Sequence, residues 1–328
     1  MTISEIAKLA QVSSAAVSRY LNNGSLSQEK RERIKKVIEE KNYQPSENAR
    51  AMRTKKSMRV GVIVPQIDSE SVPQILSGIS QILDQEKYNV MLMNSNQDMG
   101  KEITMLETFE YSQVDGLILA ASIVTDRHRE ALKRIPFPVV IIGQQVAGYS
   151  CVFHNDFQAS YEMMHYLLKS GSKFPAYLGV SRQDKAAGEK RYRGAEKALQ
   201  EFGFEIKDIP HTEVNFTMES GYSGMERILQ EYGNVDSVFC ATDMIATGAV
   251  LCLKKRGLRI PEDVRIAGIG HGIVADILTP RLTTVEYEYQ TSGTEAARML
   301  LELIHNPQEK RRQRLLDYRI IYQESTLQ

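Results

Sequence analysis

Ser14, Ala15, Ser18 and Arg19 fall on one side of a short helical segment near the start of the chain, with Val12, Val17 and Leu21 on the other. An arginine there can pair with guanine or phosphate, and small neighbours can approach base edges or a thymine methyl. A second set of polar residues follows apolar runs further along. Gln66, Ser69 and Glu70 come after the first run, Gln144 and Gln145 after the fourth, and Asn155, Asp156 and Phe157 soon after that. Arg191, Asp243 and the Gly270-His271 loop come from the second half. Residues just past the carboxyl ends of strands are where open α/β sheets hold small ligands. Neither set resembles catalytic machinery. Gly268-Ile269-Gly270-His271-Gly272 lacks the last glycine at dinucleotide-loop spacing, and no Walker lysine motif, HExxH, GxSxG or CxxC pair occurs. The six His lack ligand spacing. The expectation is therefore no enzyme, no metal and no cofactor.

Two kinds of element must position these residues. Up to about residue 57 the pattern is helical: Thr2 can cap a helix carrying Ile6, Leu9 and Ala10, and Ser13 a second carrying Val17, Tyr20 and Leu21. A third, from Ser27 to about Asn42, turns Ile34, Val37 and Ile38 inward. Two short helices joined by a tight turn form a helix-turn-helix candidate, although a plain three-helix cap fits the spacing as well. Pro45 ends the helical region, and Ser46 to Ser57 is short, basic and poor in large apolar residues. From Arg59 short apolar runs alternate with helical stretches: 60–64, 90–93, 116–119, 139–142, 176–180, 238–241 and 264–267. That alternation predicts two doubly wound βαβ lobes in succession.

The chain has 328 residues, 41 Lys+Arg and 41 Asp+Glu, so its net charge is zero. The sum conceals a split. Residues 1–60 carry 13 Lys+Arg against 6 Asp+Glu, a net of +7, which leaves −7 on the rest. A basic end on an acidic body suggests that one end meets a polyanion. Cys151, Cys240 and Cys252 are odd in number and sit among apolar residues, which predicts reduced, buried thiols in a reducing cytosol. No export signal or membrane span is indicated.

The run TISEIAKLAQVSSAAVSRYLNN resembles the N-terminal signature of the lactose-repressor/galactose-repressor (LacI/GalR) family, with Glu5 for Asp, Gln11 for Gly and Ala16 for Thr. Gln11 makes the turn less permissive than glycine would. The stretch from Tyr43-Gln44-Pro45-Ser46 through Asn48-Ala49-Arg50-Ala51-Met52-Arg53 resembles the family's hinge helix, with Met52 where leucine is usual. Val114 to Ile118, Arg191 to Gly194, Ala241 to Ala249, Ile260 to Val264 and Pro280 to Val285 are further landmarks in the family's order.

The resemblance implies an all-α helix-turn-helix headpiece (1–45), a hinge (46–58) and an α/β, periplasmic-binding-protein-like body of two doubly wound parallel-sheet lobes (59–328). The first lobe is expected at about 59–157 plus 287–312, the second at about 158–286 plus 313–328. It also implies a homodimeric, cytoplasmic, nucleoid-associated repressor of a palindromic double-stranded operator. DNA contacts are carried over to Thr2, Ser13, Ser14, Ala15, Ala16, Ser18, Arg19 and Asn22, and to Asn48, Ala49, Arg50 and Met52 in the hinge. There an apolar wedge kinks the duplex at the minor groove.

Several family members bind sugars between the lobes. The effector contacts expected here are Gln66, Ser69, Glu70, Gln144, Asn155, Asp156, Phe157, Arg191, Asp243 and His271, with Phe157 as stacking platform. The plainer alternative for Arg191 is a surface salt bridge, less favoured than the pocket, while Asp243 reads equally as a helix cap and can be both. QIDSESV at 66–72, CVFHNDF at 151–157 and DKAAG at 184–188 resemble the branch of Gram-positive sucrose-operon repressors. That branch implies a sucrose- or fructose-type sugar, free or phosphorylated. The alternatives left open are a ligand that acts as co-repressor, and a sugar receptor without operator function.

Overall fold

The computed structural model describes residues 1–21, 24–43 and 56–327, and these form two compact units, Met1–Met58 and Arg59–Gln328. The hinge residues Asn48, Ala49, Arg50 and Met52, and Asn22 of the headpiece, lie outside the described residues.

In the first unit α1 (Ile3–Leu9), α2 (Ser14–Leu21) and α3 (Gln28–Glu40) enclose Ile6, Ala7, Ala10, Ala16, Val17 and Ile34. Thr2 and Glu5 make a reciprocal capping box: the Thr2 hydroxyl accepts the Glu5 amide, and Glu5 accepts the Thr2 amide at 2.7 Å. Ser13 starts α2 by accepting the Ala16 amide at 3.2 Å. Gln11 takes φ 53° in the α1–α2 turn, a left-handed conformation that glycine adopts without strain.

The second unit begins with β1 (Arg59–Val64), α4 (Ser71–Gln85), β2 (Asn89–Asn94), α5 (Met99–Glu110), β3 (Gly116–Ala120), α6 (Asp126–Arg134), β4 (Val139–Ile142) and β5 (Ser150–His154). The chain continues through α7 (Asp156–Lys169), β6 (Pro175–Gly179), a π-helical turn (Lys185–Lys190), α8 (Arg191–Glu201), β7 (His211–Glu213), α9 (Met218–Tyr232), β8 (Ser237–Cys240), α10 (Asp243–Lys255) and β9 (Arg265–Ala267). It ends with α11 (Ile273–Ile277), β10 (Thr284–Tyr287), α12 (Tyr289–His305), β11 (Gln313–Leu316) and β12 (Tyr318–Ile321). The first lobe is a parallel sheet in the order β11-β5-β4-β3-β1-β2, and the second a parallel sheet in the order β7-β6-β8-β9. The inner strands β1, β3, β4, β6 and β8 are buried apolar runs because helices cover both of their faces.

The chain crosses between lobes three times: from β5 to α7 at 154–156, from β10 to α12 at 287–289, and from β11 to β12 at 316–318. One expectation needs correction here. Residues 313–316 do not belong to the second lobe; β11 pairs in parallel with β5, Gln313 opposite Cys151, and forms the edge of the first lobe's sheet. Only β12 turns back, pairing antiparallel with β10. The segment 313–316, QRLL, has no apolar run to mark it as a strand, because an edge strand needs just one covered face. Cys151, Cys240 and Cys252 are buried and unpaired. No helix among the described residues is long and apolar enough to cross a membrane.

Candidate functional site

Headpiece and body each carry a candidate site. On α2, Ser14, Ala15 and Arg19 are exposed, together with Ser13 and Thr2 at the helix starts, while Ser18 is half-buried. Ala16 is a correction. Its side chain is 5% exposed within the three-helix core, so it packs against the core and is not available to a base.

In the body, a cleft of about 470 Å³ opens between the lobes, ordinary for a small-molecule site. The first lobe supplies Gln66, Ser69, Glu70 and Gln144; the second supplies Asp156, Asp184, Arg191 and Asp243. Each of these sits at or just beyond the carboxyl end of a strand or at the start of a helix, which is where strand order leaves room in such folds.

Arg191 opens α8 and is 7% exposed. Its Nε donates to Asp156 Oδ1 at 2.8 Å, and its Nη1 donates to the Ala241 carbonyl. Tyr287 donates its hydroxyl to the same Asp156 oxygen at 3.1 Å. Arg191 is thus an ion-paired residue, but in a cleft wall and not on the surface. Asp243, at the first turn of α10, is 1% exposed, and its two oxygens accept the Thr284 hydroxyl at 2.6 Å and the Gly272 amide at 3.4 Å. The side chain that caps α10 is Thr242, which accepts the Ile245 amide. Burial pushes the Asp243 carboxyl up to about 7, with the Glu70 charge adding to the rise and the Thr284 hydrogen bond opposing it. Asp184 is likewise raised to about 6 by burial, against the pull of the Ala186 amide.

Among the described residues, two side-chain hydrogen bonds bridge the lobes. Gln144 donates to Asp184 Oδ1 at 3.0 Å while also donating to the Ser122 carbonyl. Glu70 accepts the Val274 amide at 3.4 Å. Gly272 makes that second approach feasible, since a Cβ there would lie 2.0 Å from the Glu70 carboxyl carbon.

Three expected ligand residues stand elsewhere. Asn155 caps α7 by accepting the Gln158 amide at 3.3 Å and does not line the cleft. Phe157, one residue into that helix, is 37% exposed and points away from the cleft lining, because the helical rotation carries it round from Asp156. His271 also lies outside the lining, held between Glu286 at 3.3 Å and Asp276 at 3.5 Å. Gln145 is exposed and likewise does not line the cleft.

The aromatic wall comes instead from Phe216, Tyr287 and Tyr289, with His154 beside them. His154 stacks on Tyr287 with centroids 4.4 Å apart and meets Tyr289 edge-on at 5.5 Å. Burial drives its imidazole down to about 4, so the ring is neutral at physiological pH, and its Nε2 has no hydrogen-bond partner. Tyr287 ends the short β10 and Tyr289 opens α12 just beyond it; the four residues of β10 are too few to stand out as an apolar run. Asp184 lies in DKAAG, a run in which nothing marks its position beyond β6 as part of the cleft.

A helix-turn-helix unit and, separately, a two-lobed body with a polar, aromatic-walled cleft define the class of DNA-binding regulators with a small-molecule-binding body. Residues 2–46 match the model for bacterial regulatory proteins of the lacI family, and residues 57–324 match that for periplasmic binding proteins and the sugar-binding domain of the LacI family. The chain belongs to the LacI family; it is a transcriptional regulator and not an enzyme. It is 33% identical to the sucrose operon repressor of Staphylococcus xylosus over 93% of this chain and 94% of that one. It is 31% identical to catabolite control protein A of Priestia megaterium over 99% of both. In fold it matches the lac repressor dimer bound to operator and the anti-inducer ONPF, with a TM-score of 0.89, 21% identity, and 100% and 99% of the two chains covered.

Proposed function

We propose that the protein is a homodimeric repressor of a sugar-utilisation operon whose effector binds between the lobes. Ser14, Ala15 and Arg19 read operator bases, and Asn48, Ala49, Arg50 and Met52 form the minor-groove hinge. A headpiece of this size reads one half-site, so two protomers reading a palindrome supply the specificity that one cannot. The observation that carries the reading is the cleft itself, in which Gln66, Ser69, Glu70 and Gln144 of one lobe face Asp156, Asp184, Arg191 and Asp243 of the other. A ligand that contacts both lobes changes their relation, and a regulator in which that relation governs DNA affinity obeys reciprocal linkage: ligand and operator weaken each other by the same factor. The similarity to the sucrose operon repressor supports a sucrose- or fructose-type effector.

The test is a gel-shift titration on an operator selected from random duplexes with the full-length chain, repeated with sucrose, fructose and their phosphates. Release of the operator by one of these supports the reading, and tighter binding in its presence makes the ligand a co-repressor. If Arg19→Ala and Met52→Ala both leave specific binding intact, the DNA-reading assignment is wrong.

A further inference from the structure

The cleft's charge pattern narrows the ligand's chemistry. Asp68, Glu70, Asp156, Asp184, Glu219 and Asp243 all line it, and Arg191 is the one formal cation among the lining residues. That cation is already committed, to Asp156 at 2.8 Å and to the Ala241 carbonyl. A phosphate in an α/β fold ordinarily sits on a helix N-terminus, where free amides and the helix dipole favour an anion. Here the helix starts around the cleft already carry carboxylates of the chain itself. Asp156 lies in the first turn of α7, Glu219 in that of α9 and Asp243 in that of α10, and Glu70 immediately precedes α4. Asp184 caps the π-helical turn, its Oδ1 accepting the Ala186 and Ala187 amides at 2.8 and 3.0 Å. Only Asp184 takes the amides of its own helical turn, while Asn155, Thr217 and Thr242 cap α7, α9 and α10. The acidic residues beside these starts nonetheless outnumber the cations, so a ligand phosphate would meet net negative charge in the cleft. His154 adds no positive charge, because its imidazole is held neutral.

We propose that the effector is an uncharged sugar and that this cleft rejects the phosphate esters of the same sugar. The inference rests on the sugar-effector reading above. Hydroxyls are the complementary chemistry: they donate to carboxylate oxygens such as those of Asp184 and Asp243, already held by backbone amides, and the Phe216, Tyr287 and Tyr289 rings of the lining supply apolar surface for the sugar's C–H groups. Selectivity arises from repulsion as much as from attraction, since both members of a sugar/sugar-phosphate pair present the same hydroxyls to the aromatic wall.

The experiment is titration calorimetry of the full-length chain with matched pairs: sucrose and sucrose 6-phosphate, fructose and fructose 1- and 6-phosphates. In any pair that binds, the neutral member should bind at least about tenfold tighter. A phosphate ester that binds as tightly as its parent sugar, or tighter, overturns the proposal while leaving the sugar-effector reading standing. Binding of no member of the panel overturns the sucrose- or fructose-type reading itself, and the selectivity with it. A second arm uses the Asp68→Asn/Glu219→Gln double variant, which removes two charges from the lining. Its affinity ratio should narrow several-fold, and an unchanged ratio would show that the charges do not set the preference.

Discussion

Arg191 Nε and Asp156 Oδ1 lie 2.8 Å apart, both side chains under a tenth exposed, each at the start of a second-lobe helix. Neither charge is solvated, so each depends on the other, and Tyr287 ties the pair to the second lobe crossing. Arg191→Ala strands Asp156 without its partner, and such a broken buried pair costs on the order of 3–5 kcal/mol. Thermal or urea unfolding of the full chain should register a loss of that order even without ligand. A change within a few tenths of a kcal/mol would mean that water reaches Asp156 and that the pair is not structural.

Asp243 and Asp184 give the body a definite pH response. Each carboxyl is harder to ionise folded than unfolded, because burial raises Asp243 to about 7 and Asp184 to about 6. The folded state therefore holds more protons than the unfolded one between about pH 4 and 7, and stability falls as pH rises through that window. Asp243→Asn abolishes its share of the trend. The stability difference between variant and parent should move in the variant's favour from pH 5 to pH 8, and a difference independent of pH would mean that Asp243 ionises normally.

Gln11 holds φ 53° at the turn between α1 and α2. Gln11→Gly relieves that strain at the cost of a freer unfolded chain, with a net gain of about 0.5–1 kcal/mol. Amide exchange in α1 and α2 of the full-length protein should slow accordingly. Faster exchange would show that unfolded-chain entropy outweighs the strain.

Glu70 reaches the Val274 amide across the cleft, and Gly272 leaves space for it. Glu70→Ala removes one of the two hydrogen bonds that bridge the lobes and leaves Gln144–Asp184 as the other. The body should keep its melting temperature within a few degrees while its radius of gyration by small-angle scattering rises. If scattering is unchanged, the Gln144 bridge alone keeps the lobes together.

How far these features could be read from the chain depended on the kind of signal each left. Val60 to Val64 or Val139 to Ile142 announce themselves because a strand covered on both faces must be apolar throughout. Thr2, Ser13 and the Gln11 turn were legible because capping and left-handed turns constrain residue type locally. The edge strand Gln313–Leu316 and the short β10 carry no such run, so the lobe boundary at 313 and the wall residues Tyr287 and Tyr289 escaped. Phe157 misled for a geometric reason: adjacent residues at a helix start diverge by about 100°, so Asp156 enters the cleft and Phe157 does not. Asp184 needed its partner Gln144, some forty positions away, to show what it does.

The strand β11 closes the first lobe's sheet beside β5, and β12 completes the ribbon with β10, so residues 313–321 bind strands from 150–154 and 284–287. During synthesis the headpiece, whose core residues fall between Ile6 and Ile34, emerges with that core complete early. The receptor waits for its last strands, and until residue 316 has left the ribosome β5 offers an unpaired edge to other chains. A polypeptide halted before that point would thus display a complete helix-turn-helix domain on a body whose first sheet lacks its edge strand.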